Sequence, residues 1–194
     1  MKYSLTVILL ATALPLAAAD PTKEPPKPAD FKGNAIMCDG TYALCIKAPC
    51  EKKVSGNNQV RCECVIENGW SMGPNSCTDR TSNLTSTYSN RFNVHSSVLS
   101  CPQPIEWAWC YGSSCEPDPK DPKGKTAICR CPVVTSQAVI LVGDKKCPDA
   151  STICAGMWSA AYPQESQFAN DYYHWWMTKN GHPAEKAAPA CPAP

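Results

Sequence analysis

Beyond Leu16 the chain has no apolar run approaching the roughly 20 residues a membrane-spanning helix needs, so no later segment is expected to insert in a bilayer. It also lacks an excess of either charge: 18 basic and 17 acidic residues leave +1. That near-neutrality removes the electrostatic reason to expect nucleic acid or an anionic membrane as partner. Histidine is scarce, with His95, His174 and His182 scattered away from the cysteine clusters. The C-x-x-C knuckle of structural zinc is missing, and so is the C-x-x-C that opens a redox helix. One G-x-S-x-G string occurs, Gly69-Trp70-Ser71-Met72-Gly73, but without a recognisable nucleophile setting, and H-E-x-x-H does not occur, so no hydrolase motif is assigned. A glycosidase needs only two carboxylates at the right separation, and 17 acids decide nothing about that. No catalytic residue, metal ligand or cofactor is assigned, and the chain reads as more a binder than an enzyme.

Cysteine, by contrast, is abundant and patterned. Cys38, Cys45, Cys50, Cys62, Cys64 and Cys77 form one series; Cys101, Cys110, Cys115, Cys129, Cys131 and Cys147 form a second. In both, C-x4-C is followed by C-x-C and then by a lone cysteine, as in a duplicated unit. Cys154 and Cys191 remain outside the two series. The N-terminus reads as a secretory signal: Lys2, an apolar run from Leu5 to Leu16, then Ala17-Ala18-Ala19 before Asp20. Export places the fourteen cysteines in an oxidising compartment, secreted or periplasmic, where disulfides are expected. Removing residues 1–19 takes away one lysine and leaves a formally neutral chain.

Composition divides the rest. Residues 20–32 form a Pro-rich, charged tether, 33–79 the first cysteine-rich module and 80–98 a Ser/Thr/Asn-rich linker. Residues 99–148 form the second module and 149–194 a C-terminal helical segment. Both modules read as short strands. Tyr42, Leu44 and Ile46 alternate with Thr41, Ala43 and Cys45, and aligning Cys45 with Cys110 puts Trp107, Trp109 and Tyr111 in the same places. The segments Arg61-Cys62-Glu63-Cys64 and Ile128-Cys129-Arg130-Cys131 put both sulfurs on one strand face, each reaching a different partner on a neighbouring strand. Turn chemistry appears at Ser55-Gly56-Asn57-Asn58 and between Pro119 and Gly124. A unit of about 45 residues buries too little to offset its chain entropy. Three bridges per module, each worth about 2 to 4 kcal/mol, would supply the difference. The fold class expected is small, disulfide-rich and mainly β, with tandem β-modules and a C-terminal amphipathic helix.

That helix is expected from Pro163, with Glu165 in its first turn, to Lys179-Asn180-Gly181. Phe168, Tyr172, Trp175 and Trp176 share one face and should cover the β-modules, leaving Tyr173 and His174 to point elsewhere. A Cys154–Cys191 bridge would pin both ends of the helix.

The strings Tyr42-Ala43-Leu44-Cys45 through Cys50, and Cys62-Glu63-Cys64 before a glycine-containing loop, resemble a repeat of uncharacterised bacterial secreted cysteine-rich proteins. The resemblance covers residues 37–148, excludes the C-terminal helix, and is weaker in module two, where Trp107-Ala108-Trp109 stands in place of Tyr-Ala-Leu. It implies location and architecture, and transfers no catalytic residue.

For function, Trp107, Trp109 and Tyr111 are the leading candidates, since flat aromatic faces stack on sugar rings. The same stripe could instead pack a core, because module one has apolar residues at the equivalent positions. The expectation is an exported, non-enzymatic binding or interaction protein that recognises a polysaccharide or a surface protein. The alternatives are an inhibitor or toxin-like effector, displaying Ser113-Ser114 or Lys120 to Lys125, and a small hydrolase. Asn83-Leu84-Thr85 is an N-glycosylation sequon.

Overall fold

In β2 (Gln59–Gly73), Val60, Cys62 and Cys64 are buried while Arg61, Glu63 and Val65 are exposed, the period-two pattern that makes a half-buried strand. It pairs antiparallel with β1 (Ile36–Leu44), Cys38 opposite Ser71 and Leu44 opposite Val65. On its other side it pairs antiparallel with β6 (Thr126–Ser136), where Ala127, Cys129 and Cys131 are buried and Arg130 is exposed. β4 (Ile105–Ala108) and β5 (Cys115–Pro117) also pair with β6, giving a five-stranded sheet. β3 (Ser97–Ser100) and β7 (Val139–Val142) form a second, two-stranded sheet. The computed structural model describes residues 34–51, 58–90, 96–142, 147–183 and 188–191. The expected signal segment 1–19, the tether 20–32, His95 and the turn residues Ser55, Gly56 and Asn57 lie outside the described residues.

All fourteen cysteines are bridged. Cys45–Cys64 and Cys50–Cys62 recur in the same places as Cys110–Cys131 and Cys115–Cys129, so each C-x-C strand bonds two different neighbouring segments. These buried sulfurs, with Ala43, Ala48, Val60, Ala108 and Ala127, build one core spanning β1, β2 and β6. The remaining bridges differ between the halves. Cys38–Cys77 closes the first half on itself, whereas Cys101 bonds Cys154 and Cys147 bonds Cys191.

The expected Cys154–Cys191 bridge is therefore overturned, as is a self-contained framework for the second module. The reason is placement. Residues 189–191 run beside β3, with Val98 N–H donating to Pro189 O and Cys191 N–H to Val98 O. Cys154 ends the short helix α2 (Ala150–Cys154), which packs with Leu99, Cys101 and Ile140. The C-terminal segment is thus stapled onto the second half rather than onto itself.

The polar stretch after Asp79 contributes to the fold instead of only linking. It begins inside α1 (Cys77–Ser82), whose N-cap Ser76 hydroxyl accepts from Asp79 N–H. Arg80, Thr85, Ser86, Thr87, Ser89 and Asn90 are buried. Backbone bonds explain this in a sequence poor in apolar residues: Ala43 N–H donates to Thr85 O, Thr87 N–H to Ala43 O, and Tyr88 exchanges both bonds with Met72.

Helix α3 (Pro163–Lys179) begins at proline and ends before Asn180, and Gly181 has φ 74°. Its buried residues are Phe168, Ala169, Tyr173 and Met177. Tyr173 was expected to point away, and that is corrected. It packs with Met37, Met72 and Met177, and its hydroxyl donates to Trp70 O. Ala169, Tyr173 and Met177 are spaced i, i+4, i+8, and the small Ala169 lets the helix approach the sheet. Tyr172 and Trp176 are partly buried at the edge of that contact, and Trp175 is half-buried with Lys179 Nζ 4.8 Å from its ring centre.

Candidate functional site

The two-stranded sheet has two unlike faces. Leu99, Ile140 and Val142 point into the core, while Val98, Val139 and Leu141 are half-buried and line a cleft of about 390 Å³. Strand alternation dictates this division. Ala160 and Ala161 extend the same apolar wall. Two turns also line the cleft, Cys45-Ile46-Lys47 after β1 and Trp109-Cys110-Tyr111 after β4, together with Tyr88 and the first half of α3. The size is that of a small-molecule site.

The expected aromatic platform divides between core and cleft. Trp107 has no exposed surface; its indole N–H donates to Ser136 Oγ at 3.1 Å and its ring meets Tyr162 edge-on at 4.9 Å. It is a core residue and offers no face to a ligand. Trp109 and Tyr111 follow the end of β4 and line the cleft. The Trp109 indole N–H donates to Glu165 Oε2 at 3.1 Å, which fixes its ring against α3. The Tyr111 hydroxyl donates to Asn34 O at 2.9 Å. Burial pushes the Tyr111 phenol well above its ordinary range; the nearby Arg80 guanidinium opposes that shift, and Glu165 and Tyr172 add to it. Tyr111 is accordingly a neutral donor. In the first half, Tyr42 and Leu44 are core, and Ile46 reaches the cleft as Tyr111 does.

Lys47 was not singled out by sequence, yet it is the one cation lining this cleft among the described residues. Its backbone has φ 59°, and it is the one described non-glycine residue with positive φ. The place it occupies in the C-x4-C loop is taken by Gly112, with φ 78°, in the second half. A comparison of those two loops carries the signal: one has glycine where the turn needs it, the other lysine.

The remaining candidates are spoken for or remote. Ser113 and Ser114 are tied to the sheet through Ser113 O with Ser86 N–H and Ser114 O with Arg130 N–H. The 118–126 loop is held by Asp121, whose carboxylate accepts from Lys123, Lys125 and Thr126 N–H. Asn83 is exposed after α1, while Thr85 of the same sequon is buried with its hydroxyl on Asn83 O. His182 stacks on Trp176 beside Trp70, away from the cleft lining. The sulfurs of Cys45, Cys110 and Cys131 lie within 4.8 Å of one another, as metal ligands would, but all three are in disulfides and have no thiolate to offer.

Seven disulfides fit an oxidising environment. Among the described residues no helix is long and apolar enough to cross a membrane. No family model, curated protein or solved structure matches this chain.

Proposed function

We propose that this is an exported, non-enzymatic binding protein, a disulfide-stapled scaffold whose ligand enters the cleft between the β3–β7 sheet and α3. The observation that carries this reading is the position of Trp109: an aromatic ring held on the cleft wall by a fixed bond to Glu165, facing a site with an apolar side. Among the described residues, the cleft lining includes one carboxylate, Glu165, and one amine, Lys47, with no histidine. That set favours recognition over general acid–base chemistry, which needs a matched pair of titrating groups. A polysaccharide laid flat along Trp107, Trp109 and Tyr111 has less support, because Trp107 is buried. A chain end or small amphiphile inserted beside Trp109 has more. A surface protein would have to insert a side chain in the same way.

The test is a nuclear magnetic resonance titration with octyl glucoside below its micelle concentration, a probe carrying both a sugar ring and an apolar tail. Saturable movement of the Trp109 indole signal, lost in Trp109→Ala with the remaining spectrum retained, supports the reading. Binding that is indifferent to Trp109→Ala, or no binding at all, counts against it.

A further inference from the structure

We infer that Lys47 is the specificity-determining residue of this cleft, and that the ligand is an anionic amphiphile: a carboxylate head at the Lys47 ammonium and an aliphatic tail along Val98, Val139 and Leu141. The inference rests on the binding reading above and adds the charge of the ligand to it.

Three observations converge on Lys47. The first is conformational. A left-handed backbone brings a side chain's Cβ against the following carbonyl, so such turn positions ordinarily take glycine. The second half uses Gly112 there. The first half keeps lysine at φ 59° despite that strain. Strain of this kind persists where the surroundings enforce it and gathers at binding sites.

The second observation is the enforcement itself. In the second half the turn closes directly, Ser113 N–H donating to Cys110 O at 2.9 Å. In the first half the Ser159 hydroxyl stands between the equivalent groups: it donates to Cys45 O and accepts from Ala48 N–H at 2.8 Å. Ser159 is buried and also lines the cleft. The Lys47 turn is therefore held open and fixed from the cleft side, by a residue of a distant segment.

The third is the absence of a competing partner. Among the described residues no hydrogen bond or ion pair engages the Lys47 ammonium. Glu165, the one acid lining the cleft among the described residues, accepts the Trp109 indole N–H instead. A cation that lines a half-apolar cleft and lacks a counter-ion among the described residues matches a ligand that supplies both the anion and the hydrocarbon. Partial desolvation there strengthens a charge-assisted bond relative to water.

Calorimetric titration with three probes sharing one tail tests this: octanoate, octanol and octyltrimethylammonium. Octanoate should bind the wild-type protein about tenfold more tightly than octanol, and the cation should bind weakest. Lys47→Gly should lower octanoate affinity to that of octanol while raising the thermal midpoint by about 2 to 4 °C, because strain is relieved. Lys47→Arg should retain the preference for the anion. If octanoate and octanol bind equally, or Lys47→Gly binds octanoate as the wild type does, the role of Lys47 is overturned while the cleft stays a binding site. If none of the three probes binds, the cleft reading fails as well.

Discussion

Cys62 and Cys129 stand directly opposite one another across the β2–β6 pairing, each the first cysteine of its C-x-C strand and each bridged to a flanking segment, Cys50 or Cys115. Equivalent residues meeting across the pairing relate the two halves by a local two-fold axis, and the antiparallel register sets Arg61 opposite Arg130. On the outer face those arginines lie 3.6 Å from Glu51 and Glu116, exposed and of small energetic weight. On the inner face sulfur replaces the aliphatic residues a chain of this size would otherwise need. The covalent layer is common to both halves, and the cleft is built on turns that this layer anchors.

The bridges should contribute unequally. Loop-closure entropy assigns about 3 kcal/mol to Cys50–Cys62 and about 4 kcal/mol to Cys101–Cys154, whose sequence separations are 12 and 53. Replacing both partners by Ala, pair by pair, should therefore lower the unfolding free energy more for Cys101 and Cys154, as read by denaturant titration. The reverse order would mean that the sulfur layer acts mainly through packing rather than chain closure.

Trp107 and Trp109 should separate cleanly. Trp107→Ala removes a fully buried indole and should cost about 3 to 5 kcal/mol. Trp109→Ala removes a half-buried cleft residue with one bond to Glu165 and should cost roughly 1 to 2 kcal/mol. Equal losses in denaturant midpoint would contradict the division of the stripe into core and cleft.

Among the described residues Arg80 is buried without a carboxylate, and its guanidinium donates to Ile36 O, Ser71 O, Gly73 O and Asn75 O. Burial pulls its pKa below the ordinary value while the nearby Tyr111 raises it. The fork joins β1, β2 and α1, a geometry lysine cannot reproduce. Arg80→Lys should destabilise by about 2 to 4 kcal/mol, again by denaturant midpoint. A neutral outcome would show that solvent, rather than these carbonyls, satisfies the charge.

How much of this was legible follows from what determines each feature. The C-x-C strands and the limits of α3 were readable, because alternation in β2 and β6, and Pro163 with Gly181, are local signals. Tyr173 was misread because α3 carries aromatics on more than one face, and the small Ala169 rather than ring size selects the buried side. The pairing of Cys154 and Cys191 depends on where residues 189–191 lie beside β3, which no spacing encodes. The burial of Thr85 to Asn90 was hidden for a similar reason: polar residues enter a core when their backbone joins a sheet. The cleft itself was invisible, since its walls come from segments as distant as Lys47, Leu141 and Glu165.

Acid should weaken the fold in a defined direction. Backbone N–H donors from Lys123 and Lys125 pull the Asp121 carboxyl below its ordinary 3.8. The Ser151 hydroxyl, then the Thr152 hydroxyl and N–H, do the same for Asp149 at the start of α2. A carboxylate with a depressed folded pKa contributes stability above its unfolded value and loses it as pH falls through the folded one. The thermal midpoint should therefore drop below about pH 4 in the wild type, and drop less in Asp121→Asn and Asp149→Asn relative to their own values at pH 6. Parallel acid limbs in all three proteins would refute the assignment.

The central claim is that the cleft between the β3–β7 sheet and α3 is the ligand site. Its most direct test is the set of nuclear Overhauser contacts made by the octyl protons of bound octyl glucoside. The expected contacts are to the methyl groups of Val98, Val139 and Leu141 and to the ring of Trp109. Contacts confined to the partly exposed rings of Trp70, Trp175 and Trp176 would place the site on the far edge of α3 and contradict it.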